Sequence, residues 1–519
     1  MLEPERAQFR NILPSSAAER WARFTGRIAV VLSGGGARGA YEAGVLLAFQ
    51  DAQLPTHILA ATSIGSINGA FYAAHSDGYV GNAETLVEAW SEVTPPAVGI
   101  DWSRYIFILA GLIAATAGLG NFTIRLLQGS GIYLHVHNPL LTWLLLGIAG
   151  LSVVFFYSQI SYVFFVGLKI VRRYQWKPDR KKVALSILAN LIIWGFVLLF
   201  LTSTRLHFRE ARIFELHPQS ASLLAGGVLC ATALWLVFRS RISLVSHKLL
   251  RSPLRSGLFP NYERTRFLRE RIQEDKVRTS AIRVVMTAAD LNSGEERFFV
   301  NKPVAELEHD PGIDASFIQE KVETADDLIK AVVASSAFPL AYEPVEMQGR
   351  LWSDGALVAK QPVIPAIRLG ADVLFLVMVE PLAQSAPQVK TFLDVAMRAF
   401  DILLARNLQA DLSLLENVNR ICEKYAADLG TRPEQLQVEV GARTYRYLKA
   451  FTIRPASPLA ATLLDFDGAV SRPLIEQGYR DGVQAVCDFL EYISKAPAHA
   501  GKYVLRLTAE EIRNPAFAR

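Results

Sequence analysis

The sequence predicts an α/β core that is interrupted by a bundle of membrane helices. Near the N-terminus, two short apolar strand patterns are each followed by a turn of small residues and a helical pattern, which is typical of α/β proteins. Apolar residues make up 51% of the chain and concentrate between residues 104 and 240. The flanking parts have ordinary globular composition, so the apolar excess belongs to an insert.

These patterns divide the 519 residues into five expected segments. The polar N-terminal segment has no apolar stretch before Ile28, so we expect no cleavable signal peptide. Insertion into a membrane would then depend on internal segments. The expected segments are the polar start 1–25, the first part of the core 26–100, the helical insert 101–250, the second part of the core 251–492 and the tail 493–519.

Composition argues against several classes of function. The three cysteines, Cys230, Cys422 and Cys487, lie far apart and have neither the spacing of a disulfide framework nor that of a metal site. We therefore expect no metal and a reducing compartment for the part outside the membrane. The net charge of +5 is modest and no basic-aromatic motif accompanies it, so a nucleic-acid partner is not expected.

Four apolar runs make up the predicted insert. A helix needs about 20 apolar residues to cross a bilayer, and the second and third runs, which carry no charge, meet this best. Seven Lys and Arg residues lie at 169–182 and more follow residue 239, which places both segments on the cytoplasmic side by the positive-inside rule. Four crossings keep both halves of the core on that side. The runs are 105–120, 140–168, 183–204 and 222–238.

A glycine turn follows the first strand. Ile28–Leu32 is a short β-branched run that predicts a buried strand, and the apolar spacing after Gly39 predicts a helix. Glycines 34–36 lie between them, and such a turn aims several free backbone N–H groups at one point. That point favours an anion, either a bound phosphate or the oxyanion of acyl transfer.

A nucleotide site is the competing interpretation of this turn, because Gly34, Gly36 and Gly39 have the spacing of the dinucleotide fingerprint. That fingerprint requires an acidic residue about 20 positions further on, where the sequence reads THILAAT and has none. No Gly-Lys-Ser/Thr ends the turn, so a P-loop is excluded. We therefore expect no nucleotide cofactor.

A nucleophile elbow follows the second strand. Residues 57–73 read HILAATSIGSINGAFYA, an apolar strand, a sharp turn and a helix of small residues with Ser63 at the tip of the turn. This matches the pattern G-x-S-x-G. Gly65 supplies the second small residue, whereas Ala61 stands in place of the first glycine and crowds the turn by one methyl group. Together with the glycine turn, the elbow predicts acyl transfer through Ser63.

A serine nucleophile requires a base. His499 lies in a Pro/Ala-rich tail, and His57 lies in the strand that leads to Ser63 itself, so neither histidine suits that role. A carboxylate that acts directly on the serine is the better hypothesis. The best candidate is Asp354, because its Asp-Gly-Ala segment forms a turn directly after an apolar strand.

The segments LSGGGARGAYEAGVL, ATSIGSINGAFYA and WSDGALVAKQPV resemble the oxyanion, nucleophile and acid blocks of one family, the patatin-like phospholipases. Residues 284–299, 331–345 and 453–468 are similar to further blocks in the family's order. The resemblance covers about residues 26–95 and 251–490, and the insert is not part of the common family core.

The resemblance implies a three-layer α/β/α core and metal-independent cleavage of lipid acyl esters by a Ser-Asp pair without histidine. It implies that Ser63 is the nucleophile and Asp354 its base. Arg38 would hold the loop or meet a phosphate. The backbone amides of the implied oxyanion hole belong to Gly34, Gly35 and Gly36. The motif-supporting residues are Arg38, Gly39, Ala61, Gly65, Gly355 and Ala356.

Two alternatives remain open on the sequence alone. An acyl-serine can pass its acyl group to an alcohol instead of water, and the same fold can serve as a catalytically silent membrane scaffold. The expected partners are the bilayer and the acyl esters of phospholipids or related glycerolipids, and no cofactor is expected. The short-loop helices suit a multi-pass protein of a bacterial inner membrane with a cytoplasmic core.

Overall fold

The structure is a computed structural model. It describes residues 2–13, 26–100, 261–310, 312–339, 341–381, 415–440, 443–495 and 503–507, together with positions 21, 24, 113, 147, 259, 412 and 413. The chain divides into two compact units, Met1–Gly99 with Ser256–Arg519, and Ile100–Arg255.

The four predicted membrane runs fall in the second unit and, apart from two isolated positions, outside the described residues. They therefore stay predictions, as do the segment boundaries. Within the part of the chain that is described, no helix combines the length and the apolar character that a membrane crossing requires.

Helices and short 3₁₀ turns alternate with strands throughout the first unit. The 3₁₀ turns Gly36–Gly39 and Gly355–Leu357 each follow a strand of the sheet. The helices are α1 Glu3–Ile12, α2 Ala40–Asp51, α3 Ile64–Ala74, α4 Glu84–Glu92, α5 Asn261–Arg271, α6 Glu274–Thr279, α7 Val304–Glu308, α8 Ala315–Lys321, α9 Leu328–Ser335, α10 Val363–Arg368 and α11 Gly468–Lys495.

The strands form one large mixed sheet and one small sheet. In the described residues the large sheet has the order β11-β8-β1-β2-β3-β4-β5, with β7 beside β3 and β6 beside β7, and the small sheet has the order β10-β9-β12. The strands from β11 to β3 run parallel. The strands are β1 Ile28–Leu32, β2 Ile58–Thr62, β3 Arg283–Asp290, β4 Glu296–Val300, β5 Val322–Thr324, β6 Val345–Met347, β7 Arg350–Asp354, β8 Val373–Val377, β9 Leu436–Val440, β10 Arg443–Arg446, β11 Lys449–Ile453 and β12 Tyr503–Leu507.

Helices cover both faces of the large sheet, as alternate residues of β8 show. Leu374 and Leu376 pack in one apolar cluster with Val363 and Ala366 of α10. Phe375 points to the opposite face, because side chains alternate along a strand. There its ring meets Phe49 of α2 and Phe489 of α11, and the last pair of ring centroids is 5.3 Å apart. The three-layer α/β/α architecture expected from the family resemblance is confirmed for the first unit.

The two strand–turn–helix segments read from the sequence lie side by side in this sheet. β1 and β2 pair in parallel, with Leu32 opposite Ala61, so both strands end at the same edge. The glycine turn that follows β1 and the elbow that follows β2 are therefore neighbours at the carboxyl edge of the sheet, where α/β proteins place their sites.

Candidate active site

Ser63 occupies a strained turn directly after β2. Its backbone has φ 57° and ψ −125°, a conformation that residues other than glycine rarely adopt. The following helix must pass close to the end of β1, and a Cβ on Gly65 would lie 2.8 Å from the Cβ of Leu32. Ala61 is fully buried in the sheet, and its methyl group is accommodated. This is the elbow geometry expected from the sequence.

The register of β3 explains why Asp354 lies beside Ser63. β2 pairs with β3 up to Thr287, which lies opposite Thr62. β7 pairs with the next residues of β3, beginning with Asp354 opposite Ala288. Because β4 covers the other edge of β3 at these positions, β2 and β7 lie end to end along the same edge. The residue after the end of β2 therefore faces the last residue of β7.

The two side chains meet directly. Ser63 Oγ donates a hydrogen bond to Asp354 Oδ2 at 2.6 Å, and the backbone N–H of Ala356 donates to Oδ1 at 2.8 Å. The second bond fixes the carboxylate plane and leaves Oδ2 for the serine. A Cβ on Gly355 would lie 2.2 Å from the carbonyl oxygen of Thr287, so the turn after Asp354 tolerates only glycine there.

The electrostatic environment of Asp354 sets its protonation. Asp354 is fully buried, and this burial raises the pKa of its carboxyl group to about 6, against the hydrogen bonds from Ser63 and Ala356 and the positive charges of Arg264 and Lys360. A carboxylate with this pKa is ionised at neutral pH and is more basic than an exposed one. It is suited to take a proton from the serine.

The glycine turn lies against the same serine. A Cβ on Gly34 would be 3.1 Å from the Cβ of Ser63, which shows how closely the turn approaches. The N–H of Gly34, however, donates to the carbonyl of Lys360 at 3.2 Å. Of the three amides expected to face an oxyanion, that of Gly34 is therefore already engaged, and those of Gly35 and Gly36 remain as candidates. For the N–H groups of Gly35 and Gly36, no acceptor occurs among the described residues.

The C-terminal part of the core holds the turn in place. Gly36 has φ +57°, and a Cβ there would lie 2.2 Å from the carbonyl oxygen of Leu463, which also accepts from the N–H of Ala37. The guanidinium of Arg38 donates through Nε to the carbonyl of Ala461 at 3.1 Å. Of the two roles considered for Arg38, the structure shows contacts for holding the loop. Gly39 packs against Ile64 of the elbow helix, which a Cβ would approach to 2.5 Å.

Of the two histidines considered as bases, His57 is described by the structure and His499 is not. The Nδ1 of His57 accepts from the N–H of Ile28 at 3.1 Å, and its ring packs on Tyr79. His57 precedes β2 and Ser63 follows it, so roughly 20 Å of strand separates them. His499 lies outside the described residues.

Several residues at the site were not singled out by the motifs of the sequence. Ser335, at the end of α9, accepts a hydrogen bond from the N–H of Ser63 at 3.1 Å. Glu42 and Asn68 are buried beneath the glycine turn and bond to each other at 2.9 Å. Arg264 is buried on an otherwise charged helix. The four-residue spacing of Arg264 and Leu268, the buried pair of that helix, is the one signal that could have placed it inward.

An α/β/α fold with a serine at a strained elbow, a carboxylate as its partner and a glycine turn beside them defines a class of serine hydrolase folds. The model of the patatin-like phospholipase family matches residues 30–134 and 204–367, which is more than half of the chain. The chain therefore belongs to the patatin-like phospholipase family.

Curated relatives match this chain over short stretches. Lysophospholipase nte1 of Aspergillus terreus is 48% identical over 56 residues, 11% of this chain and 4% of that protein. Lysophospholipase NTE1 of Chaetomium globosum is 48% identical over 50 residues, 10% and 3% of the two chains. The patatin-like phospholipase domain-containing protein ZK370.4 of Caenorhabditis elegans is 46% identical over 63 residues, 12% and 4%. The alignments thus span only a small part of each relative.

Among solved structures, VipD from Legionella pneumophila is similar across 89% of this chain and 67% of its own, at 12% identity and a TM-score of 0.30. At that score the likeness carries no argument about function.

Proposed function

We propose that the protein is a serine hydrolase of lipid acyl esters in which Ser63 is the nucleophile and Asp354 its base. The observation that carries this proposal is the 2.6 Å hydrogen bond between the two side chains, formed at a strained elbow. Family membership supports a lipid acyl ester as the substrate class. The names of the relatives support lysophospholipids as the first substrates to test.

The proposed reaction proceeds in two steps through an acyl-serine. Ionised Asp354 takes the proton of Ser63 as the serine oxygen attacks the ester carbonyl carbon. The amides of Gly35 and Gly36 stabilise the negative charge on the carbonyl oxygen, a contribution that is usually large in acyl transfer. Asp354 returns the proton to the departing alcohol. It then takes a proton from the water that attacks the acyl-serine, and it returns this proton to the Ser63 oxygen as the fatty acid leaves.

Asp354 can serve both steps because of its environment. Its pKa of about 6 keeps it ionised at neutral pH yet close enough to neutrality to return the proton. The bond from Ala356 keeps the carboxylate oriented, the role that a third residue plays in a serine triad. No histidine is required.

Membrane anchoring is the second part of the proposal. Its support is the four apolar runs and the Lys/Arg distribution of the sequence. An anchored core would meet lipid substrates that partition into the bilayer, with the core on the side of the 169–182 loop. Labelling of a cysteine introduced at position 177 from outside intact cells would contradict this orientation.

Hydrolysis by the purified protein tests the chemistry. The wild type is expected to release fatty acid from lysophosphatidylcholine in detergent, and a fluorophosphonate probe is expected to modify the peptide that contains Ser63. Ser63→Ala should abolish both signals. Ser91→Ala is the matched control, because the Ser91 hydroxyl donates to the carbonyl of Val87 in its own helix. Equal hydrolysis by Ser63→Ala and wild type would reject the proposal.

A further inference from the structure

A buried arginine lies behind the Ser63–Asp354 pair. Arg264 is 3% exposed, on a helix whose other residues, apart from Leu268, are half-buried or exposed. Its guanidinium donates to the carbonyls of Ser336 and Val333, the latter at 3.1 Å, and to Asn261 Oδ1 at 2.6 Å. It also lies 4.0 Å above the ring of Tyr342. Among the described carboxylates none forms an ion pair with it, and burial lowers the pKa of the guanidinium. A buried charge of this kind is unfavourable without compensation.

The carbonyls that Arg264 holds belong to the carboxyl end of α9 and the turn after it. This turn, residues 335–337, touches both members of the pair. Ser335 Oγ accepts from the N–H of Ser63 at 3.1 Å and bonds to Ser66 Oγ at 2.7 Å. The carbonyl of Ala337 accepts from the N–H of Asp354 at 3.0 Å. The α9 turn therefore spans the gap between nucleophile and base.

The charge of Arg264 fits this place in two ways. A cation at the carboxyl end of a helix is favourable for the dipole of α9. Burial raises the pKa of the Asp354 carboxyl group and lowers the pKa of Arg264, and the charge of each group opposes the shift of the other. The buried cation and the buried carboxylate therefore stabilise each other's charged forms through the α9 turn.

We propose that Arg264 is a positioning residue for the Ser63–Asp354 pair, which it serves by clamping the α9 turn at the spacing the pair requires. The inference rests on the proposed function of the pair. The fork geometry matters, because a guanidinium holds two carbonyls at once, whereas an ammonium is a point charge.

Three variants separate geometry from charge. Arg264→Gln removes both the charge and the fork, and Arg264→Lys keeps only the charge. Arg266→Gln is the control, since Arg266 lies on the same helix and pairs with Glu270 on the surface. The measurement is the rate at which a fluorophosphonate phosphonylates Ser63, with loss of fluoride, between pH 4 and 9, per folded molecule. The folded fraction is determined by circular dichroism.

Arg264→Gln should lower the plateau rate at least about tenfold and move the acid limb upward by about one pH unit. Arg264→Lys should lower the plateau but leave the limb near its wild-type position. Arg266→Gln should match the wild type in both. A merely structural role would reduce the folded fraction and leave the rate profile per folded molecule unchanged. That outcome for the two Arg264 variants overturns the inference.

Ser335→Ala carries the test if Arg264→Gln does not fold. This variant keeps the charge and removes the acceptor for the N–H of Ser63, so the plateau should fall about tenfold with an unmoved acid limb. A wild-type plateau in both Ser335→Ala and Arg264→Lys contradicts the inference. The proposed function fails separately, if the fluorophosphonate does not phosphonylate wild-type Ser63 at any pH.

Discussion

The carboxyl groups of two buried aspartates in the same core have pKa values that are shifted in opposite directions. Asp51 ends α2 and binds Arg6 of α1 through Nε at 2.8 Å, Arg10 of the same helix, and the hydroxyl of Tyr479 of α11 at 3.0 Å. Asp354 binds a serine hydroxyl and one amide. Burial alone would raise the pKa of both carboxyl groups. At Asp51 the arginines outweigh burial and the pKa is lowered, whereas at Asp354 burial prevails and the pKa rises to about 6.

The difference separates a carboxylate that stabilises the fold from one that is suited to react. A lowered pKa means that Asp51 contributes stability above its unfolded-state pKa, and that this contribution is lost as the pH falls through the folded-state value. The raised pKa of Asp354 has the opposite sign. Its contribution is complete below the unfolded-state pKa and is lost as the pH rises through about 6. At neutral pH the fold therefore keeps Asp354 ionised at a cost in stability.

Replacement of Asp354 by asparagine should have the largest effect, on both hydrolysis and stability. Asp354→Asn should lower hydrolysis at least about 1000-fold. At pH 8 it should raise the free energy of unfolding by roughly 1–3 kcal/mol, since the buried charge is gone. Activity assays and urea unfolding at pH 8 measure both quantities. A destabilised Asp354→Asn would show that the carboxylate is not penalised by its surroundings.

Asp51→Asn should do the reverse. It leaves the guanidinium of Arg6 buried beside a neutral group, so the free energy of unfolding should fall by about 3 kcal/mol, while hydrolysis per folded molecule stays close to wild type. The same two assays apply. A loss of turnover in folded Asp51→Asn would mean that this region also acts on the site.

Gly35→Val should lower hydrolysis about 100-fold by disturbing one donor to the oxyanion. A Cβ on Gly35 would lie 2.3 Å from a methyl group of Val379, so the turn must shift. Steady-state assays measure the loss. Gly78→Asn is the control, because this exposed glycine has φ +56° and open space around it. Equal activity of Gly35→Val and the control would remove the turn from the chemistry.

The pH dependence of hydrolysis should follow the ionisation of Asp354. Only the ionised form of Asp354 accepts a proton, so the rate should fall about tenfold per pH unit below about 6. Burial and the charges of Arg27 and Arg283 lower the pKa of His57, but roughly 20 Å of strand separates this histidine from Ser63. His57→Gln should therefore leave the profile unchanged. A profile that loses its acid limb in His57→Gln would assign the limb to the histidine.

A third buried carboxyl group should give the smallest effect. Glu42 accepts from the amide of Asn68 at 2.9 Å, and burial, aided by Glu380, raises the pKa of Glu42 well above its usual range. Burial thus disfavours the charged form, and the neutral amide of a glutamine can still accept the bond from Asn68. Glu42→Gln should change the free energy of unfolding by no more than about 1 kcal/mol, as thermal unfolding at pH 7 would show. A much larger loss would mean that glutamine does not replace the contacts of Glu42.

The sequence predicts the parts of the site that obey local rules. β1, β2, the glycine turn and the elbow follow from apolar runs bounded by small residues, and each forms where expected. The pairing of Ser63 with Asp354, 291 residues apart, was inferred from the absence of a suitable histidine and from family resemblance. The register of β3, which sets that distance, has no local signature.

The contacts that tune the site were not predictable in this way. The bond from Gly34 to Lys360 and the clamp on the α9 turn depend on how distant segments pack. Ser335 and Arg264 lie in segments whose composition suggests an apolar helix end and a solvated charged helix. The order of residue types along the chain does not show which polar groups are buried next to each other in the fold.

A comparison of four proteins tests the central claim most directly: the wild type, Ser63→Ala, Asp354→Asn and the double variant, assayed for kcat/KM on one lysophospholipid. Residues that act as one unit are strongly non-additive. We therefore expect both single variants to fall to the same residual rate and the double variant to be no slower than either. Losses that multiply in the double variant, or an Asp354→Asn variant that retains substantial activity, would contradict the assignment of Ser63 and Asp354 as a catalytic pair.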